Sequence, residues 1–275
     1  MLTYISSRSN PEVMFAASLL QKKYREQNGV FIAEGVKLFR EVVDFGSEIV
    51  KIFILDSEKE TLLPIVRTAL GDQAFGKMPI FLLSESAFTK ISSENSPQGI
   101  ITIVKSLDIF EKCTKIYKKD FDVLQNERIL ALYSVRDPGN IGAILRSAVA
   151  FGYDRVILSG DSAELTSPKT VRAAMGALFK IKLTVIEDFS SMIVSAKEAG
   201  RRVLCAELTE GAVSICGLDK KRDDIIVIGN EGHGIPREIS SLADRSIFIP
   251  IAPNTESLNA AVAASVLLWE FAGKE

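Results

Sequence analysis

Short apolar runs alternate along the chain with longer stretches whose apolar positions recur at helical spacing. In the first part the strand-like runs are "GVFIAE", "IVKIFILD", "IFLLS" and "GIITIVK", and between them lie "GVKLFREVVDFG", "KETLLPIVRTALG" and "ESAFTKISS". That alternation predicts an α/β layer domain. Ahead of it, residues 10–29 read as a helix, with Asn10 as N-cap, Pro11 at the first helical position and Gly29 as the stop. Lys22, Lys23 and Arg25 near its end suit either a solvated terminus that balances the helix dipole or a contact with nucleic acid.

The alternation restarts after residue 128 with "ILALYSV", "RVILSG", "IKLTVIE", "RRVLCAEL", "DIIVIGNEG" and "SIFIPIA". Helical stretches separate them, among them "TSPKTVRAAMG", "FSSMIVSAKEAG" and a last one, "SLNAAVAASVLLWEFAG". These strands are nearly unbroken Val, Ile and Leu, as expected for a parallel sheet covered on both faces. Residues 107–127, between the two halves, are charged and weakly periodic. The expected organisation is an α/β domain over 1–106, a linker over 107–127 and a parallel-sheet α/β domain over 128–275.

Composition narrows the class. At 47% hydrophobic and 25% charged residues, the 275-residue chain has ample material for two cores, which argues against a disordered protein. No stretch approaches the roughly 20 apolar residues of a spanning helix, and the first residues lack a basic segment followed by an apolar core. The expectation is a cytoplasmic protein with no membrane partner. Cys113, Cys205 and Cys216 show no CxxC spacing, and His233 is the single histidine, so neither a disulfide framework nor a metal site is expected. A net charge of −2 is not the whole-molecule basic signature of many nucleic-acid binders, so an RNA partner would need a local basic surface.

In doubly wound sheets ligands bind beyond the carboxyl ends of strands, and three loops there carry unusual residues. In "RDPGNIGAILRSAVAFG", Ile141, Ile144, Leu145, Ala148 and Val149 form one apolar helix face, with Gly142 and Arg146 off it. A glycine inside a helix costs roughly 1 kcal/mol against alanine, so Gly142 hints at close approach by a neighbour. Arg146 suits a phosphate, or is simply a solvated helix residue. In "IGNEGHGIP", Gly229, Gly232 and Gly234 let the backbone face a ligand, but their spacing is wrong for a phosphate fingerprint. Glu231 at the tip favours a neutral or cationic ligand, an ordinary turn with an exposed acid being the alternative; His233 reads as a solvated loop residue. In "IPIAPNTESLNAAVAA", Ser257 is a natural N-cap, and Ser257 and Asn259 could both be plain capping residues. Ala260, Ala261, Ala263 and Ala264 invite close packing.

In order and spacing, the three loops resemble the three motifs of the SpoU (TrmH) group of SPOUT RNA 2′-O-ribose methyltransferases. N-x-G-x-x-x-R matches Asn140, Gly142 and Arg146; G-x-E-G-x-G matches Gly229, Glu231, Gly232 and Gly234; I-P…S-L-N matches Ile249, Pro250, Ser257, Leu258 and Asn259. Each motif is weak alone, and the three together are specific. The chain departs from many members at Asn254-Thr255 and at Ala260-Ala261, where glycine and Val-Ser are common. In the first half "FIAEGVKLFREVV" and "SPQGIITIV" resemble the RNA substrate-binding domain of ribosomal-RNA members, similar in fold to a ribosomal protein.

The resemblance implies a C-terminal trefoil knot that holds S-adenosylmethionine in a bent form, mainly on backbone groups around Gly229, Gly232, Ile249 and Leu258, with Ala206 and Asn230 beside them. The implied reaction is methyl transfer to a ribose 2′-hydroxyl of RNA, 23S-type ribosomal RNA ahead of tRNA, by a homodimer and without a metal. Arg146 would serve as general base or phosphate anchor, Asn140 would orient Arg146 or the ribose, and Glu231, Ser257 and Asn259 would fix the loops and the hydroxyl. The rival from outside the family, a nucleotide-dependent dehydrogenase, needs a glycine fingerprint that "LYSVRDPGNIG" does not supply. The rival from within is a catalytically silent RNA-binding relative.

Overall fold

The computed structural model describes residues 2–106, 110–255 and 257–272. The chain forms two compact units. Residues up to 106 together with 164–179 make the first, and the remainder makes the second.

The first unit is built on a five-stranded sheet. Its elements are β1 (Leu2–Ile5), α1 (Pro11–Ser18), α2 (Lys22–Asn28), β2 (Val30–Glu34), α3 (Val36–Asp44), β3 (Ile49–Leu55), α4 (Lys59–Lys77), β4 (Ile80–Leu83), α5 (Glu85–Ile91) and β5 (Ile100–Lys105). The order is β1-β4-β3-β5-β2, with β1, β4 and β3 parallel and β5 antiparallel to both β3 and β2. One face packs Phe53, Phe88, Ile101 and Ile103 under α1 and α5; the other packs Phe39, Ile52, Ile54 and Val66 under α3 and α4.

The helix expected over residues 10–29 is two helices. Asn10 does cap the first, accepting from Glu12 N–H at 2.9 Å, and Gly29 does end the second at φ +61°. Between them Leu19 is fully buried, and its carbonyl accepts from Arg25 Nη1 at 2.6 Å. Arg25 also meets Glu164 through Nε at 3.0 Å and Nη2 at 2.5 Å. It is therefore a buried structural cation and not a nucleic-acid contact; Lys22 and Lys23 are exposed.

The second unit contains β6 (Phe110–Cys113), α6 (Lys118–Val123), β7 (Ile129–Leu132), α7 (Pro138–Ala150) and β8 (Arg155–Ser159). After α8 (Pro168–Ala174), which groups with the first unit, come β9 (Lys182–Ile186), α9 (Phe189–Glu198), β10 (Val203–Ala206), β11 (Val213–Ser214), β12 (Ile225–Ile228), α10 (Arg237–Ser240), β13 (Arg245–Phe248) and α11 (Ala260–Ala272). The sheet order is β11-β13-β10-β12-β7-β8-β9-β6, and every pairing is parallel. The strands β12, β7 and β8 are buried on both faces, as their continuous apolar sequences require. Among the described residues no helix is long and apolar enough to cross a membrane, and no group of three His, Cys, Asp or Glu could hold a metal ion.

The domain plan read from the sequence needs two corrections. The described part of 107–127 is not a linker: β6 pairs with β9, and two buried arginines clamp the stretch. Arg155 bonds Glu111 at 2.7 Å and Glu127 at 2.8 Å, while Arg201 donates to the carbonyls of Leu124 and Glu127. Two charges of the stretch, Glu111 and Glu127, are partners of Arg155. The second correction concerns 164–179, which was assigned with its sequence neighbours. Helix α8 packs on β2, Phe179 lies 6.3 Å from Phe31 between ring centroids, and Arg172 is paired with Glu94 and Ser93.

Candidate active site

Three loops leave the carboxyl ends of β7, β12 and β13 in the second unit, β12 lying beside β7 and β13 one strand further on, past β10. The loop after β7 runs into α7, whose N-cap Asp137 accepts from Asn140 N–H at 2.9 Å. Ile141, Ile144, Leu145 and Ala148 are buried as their spacing predicts, and Val149 is half-buried. Gly142 belongs to the buried set rather than lying off it, on a helix that packs against α11.

The loop after β12 folds into a tight hairpin. Asn230 and Gly234 pair through their backbones, each N–H donating to the other's carbonyl at 3.0 Å. The Asn230 side chain ties the loop inward: Oδ1 accepts from the N–H groups of Gly232 and His233, and Nδ2 donates to the Ser134 carbonyl at 2.7 Å. Gly229 is required sterically, because a Cβ there would lie 2.6 Å from Gly234 C and 2.7 Å from its oxygen. No side chain can occupy that crossing.

Glu231 reaches from this hairpin to the first loop. Its Oε1 accepts from Asn140 Nδ2 at 2.9 Å and from Asp137 N–H at 3.2 Å, and its Oε2 accepts from Arg136 N–H at 3.2 Å. Burial pushes the carboxyl up, but the bonds from Asn140 and from the backbone of Glu231, Arg136 and Asp137 outweigh it, and the net shift is downward. A carboxylate so occupied is a clamp and a poor proton acceptor.

The third loop brings Asn259 onto Asn140, with Nδ2 donating to Asn140 Oδ1 at 3.0 Å. The cap of α11 is Asn259 and not Ser257: Asn259 Oδ1 accepts from Ala261 N–H at 2.9 Å and Val262 N–H at 3.3 Å. Ser257 instead lines the cavity described next.

Beside this network is a cavity of about 550 Å³. Ala206, Gly229, Asn230, Gly232, Ile249 and Leu258 all line it, as do Glu231 and Ser257. Among its described lining residues the charged ones are Glu207 and Glu231, and none is basic. That wall disfavours a pyrophosphate-bearing dinucleotide and accepts a neutral or cationic ligand. It also fits S-adenosylmethionine: apolar sides suit an adenosine, and the glycine crossing exposes backbone groups at the floor.

Arg146 stands apart from the network. It is exposed on α7, and among the described residues it has no hydrogen bond or ion pair. The expected link between Asn140 and Arg146 is absent, since both ends of the Asn140 amide are taken by Glu231 and Asn259. The sequence reading missed two features, the Arg136 and Asp137 N–H groups that anchor Glu231, and Glu207 at the end of β10. The strand-end rule applied to "RRVLCAEL" would have exposed the latter.

Similarity to known proteins agrees with this geometry. Residues 127–269 match the SpoU rRNA Methylase family and residues 10–102 match the MRM3-like substrate binding domain. The chain is 28% identical to the 23S rRNA (guanosine-2′-O)-methyltransferase RlmP of Bacillus subtilis, covering 98% of this chain and 99% of that one. It is 26% identical to a 23S rRNA (uridine-2′-O)-methyltransferase of Streptomyces viridochromogenes, covering 97% of this chain and 90% of that one. An AdoMet-bound rRNA methyltransferase of Sinorhizobium meliloti superposes with a TM-score of 0.79 at 29% identity, over 98% of this chain and 97% of that one. With more than half of its residues matched, and with all three motif loops inside the match, the chain belongs to the SpoU rRNA methylase family.

Proposed function

We propose that the protein transfers a methyl group from S-adenosylmethionine to a ribose 2′-hydroxyl of ribosomal RNA. The observation that carries this reading is the Asn140–Glu231–Asn259 network at the rim of a cavity with acidic and apolar walls and a glycine crossing. The bound cofactor supplies an activated methyl on a sulfonium. The chain's part is to hold the donor by backbone around Gly229, Gly232, Ile249 and Leu258, with Ala206 and Asn230 beside it. Asn140, its amide fixed at both ends, presents a rigid polar surface to the incoming ribose. Alignment of this kind is worth about 7–11 kcal/mol in favourable cases.

Arg146, unpaired among the described residues, is assigned to the RNA. A guanidinium with a pKa above about 12 is a poor base but a good bidentate phosphate ligand and a stabiliser of developing alkoxide charge. The reading extends to a homodimer built on α11, where Val262 and Trp269 are exposed seven residues apart on one face. It extends also to a trefoil knot: β13 lies between β10 and β11, after which the chain returns to lay α11 on α7. The clearance left at Gly229 is what such a crossing needs. Mapping of 2′-O-methyl groups on rRNA from cells with and without the gene tests the activity. One lost site, restored by purified protein and S-adenosylmethionine, is expected; unchanged maps would overturn the assignment.

A further inference from the structure

Glu207 follows β10 and is fixed twice to the neighbouring strand. Its N–H donates to the Ile247 carbonyl at 3.0 Å, and its Oε1 accepts from Ser246 Oγ at 2.6 Å. Its Oε2 has no partner among the described residues, although the side chain is half-buried at the cavity wall. The other carboxylate of the lining, Glu231, is already engaged by the loop before α7 and by Asn140 in its first turn. Glu207 is thus a carboxylate on the cavity wall, held by Ser246, with one oxygen unpartnered among the described residues.

We propose that Glu207 binds the ribose cis-diol of S-adenosylmethionine, a role that rests on the reading of this cavity as the cofactor site. The apolar walls beside Glu207 are Leu208, Ile247 and Phe248. They are where the adenine belongs, and the ribose is the polar group attached to it. In the sheet, β12 separates β10 from β7, so Glu207 lies about two strand spacings, roughly 10 Å, from the strand that leads to Asn140. The sulfonium end of the ligand belongs at Asn140, which leaves Glu207 for the nucleoside end. A vicinal diol offers two O–H donors to one carboxylate, and the Ser246 bond holds that carboxylate in place for them.

Titration calorimetry on the full-length protein decides it, using S-adenosylhomocysteine and 5′-methylthioadenosine, which keeps the diol but has no amino acid. Glu207→Gln is expected to weaken both ligands by a similar factor, about tenfold. Ser246→Ala, which frees the carboxylate without removing it, is expected to weaken both by less. Unchanged affinity in Glu207→Gln, or a loss confined to S-adenosylhomocysteine, would overturn the assignment, the second result moving Glu207 to the ammonium group. If Glu207→Gln melts early, Ser246→Ala carries the same comparison. Failure of the unaltered protein to bind either ligand would overturn the methyltransferase reading, and this assignment with it.

Discussion

Asn259 Nδ2 donates to Asn140 Oδ1 across 119 residues of chain, while the other end of the same amide caps α11. One side chain thus does two separable things. Asn259→Asp keeps the cap acceptor and loses the donor, so its melting temperature should stay near that of the unaltered protein while methyl transfer falls about tenfold or more. Asn259→Ala should lose the same activity and also about 1 kcal/mol of stability. Thermal melts beside single-turnover assays check both; equal activity in Asn259→Asp would remove the network from the mechanism.

Glu231 gives a pH prediction. Its carboxyl is held below the ordinary carboxylate value of about 4.3, so the stability it contributes is present above that value and is lost as pH falls through the lower folded one. Glu231→Gln should therefore be less stable than the unaltered protein at neutral pH, and in melts at successively lower pH the gap should close only once pH has fallen below the ordinary carboxylate range.

At Gly229 even one methyl is too many. Gly229→Ala should cost about 1–3 kcal/mol by overpacking and should weaken S-adenosylhomocysteine binding, because the Gly234 backbone has to move. Gly232, where the nearest atom to an added Cβ is 3.6 Å away, should tolerate alanine better. Calorimetric titration of the two variants makes the comparison.

Two arginines should part company. Arg146→Ala should leave melting and S-adenosylhomocysteine binding unchanged, slow methylation about 100-fold and lower the salt slope of RNA binding by about one unit. Arg25→Ala should instead cost about 3 kcal/mol of stability by leaving Glu164 without its buried partner.

The parallel sheet was legible because strands buried on both faces must be written in Val, Ile and Leu, and the motif loops stood out because glycine inside a helix or after a strand is costly. What escaped was of one kind. Strand β6, "FEKC", sits at a sheet edge with Glu111 answered by the distant Arg155, so no apolar period marks it. The break after Ser18 depends on Arg25 taking the Leu19 carbonyl, a contact that local propensity does not encode. Ser and Asn cap helices about equally well, so propensity does not choose between Ser257 and Asn259; Asn259 takes the cap while its Nδ2 reaches Asn140. Long-range partners decided each case.

The membership of residues 164–179 in the first unit bears on how the chain is made. Leu178 and Phe179 are fully buried there, and Arg25 waits for Glu164. The amino-terminal unit is therefore unfinished when its own stretch of sequence has left the ribosome. The cover that α8 lays on β2 arrives only after β6, α6, β7, α7 and β8 have been synthesised. A fragment that stops before residue 164 therefore lacks the partner of Arg25 and the cover over Phe31, so truncation at the apparent domain boundary leaves the first unit with an exposed seam.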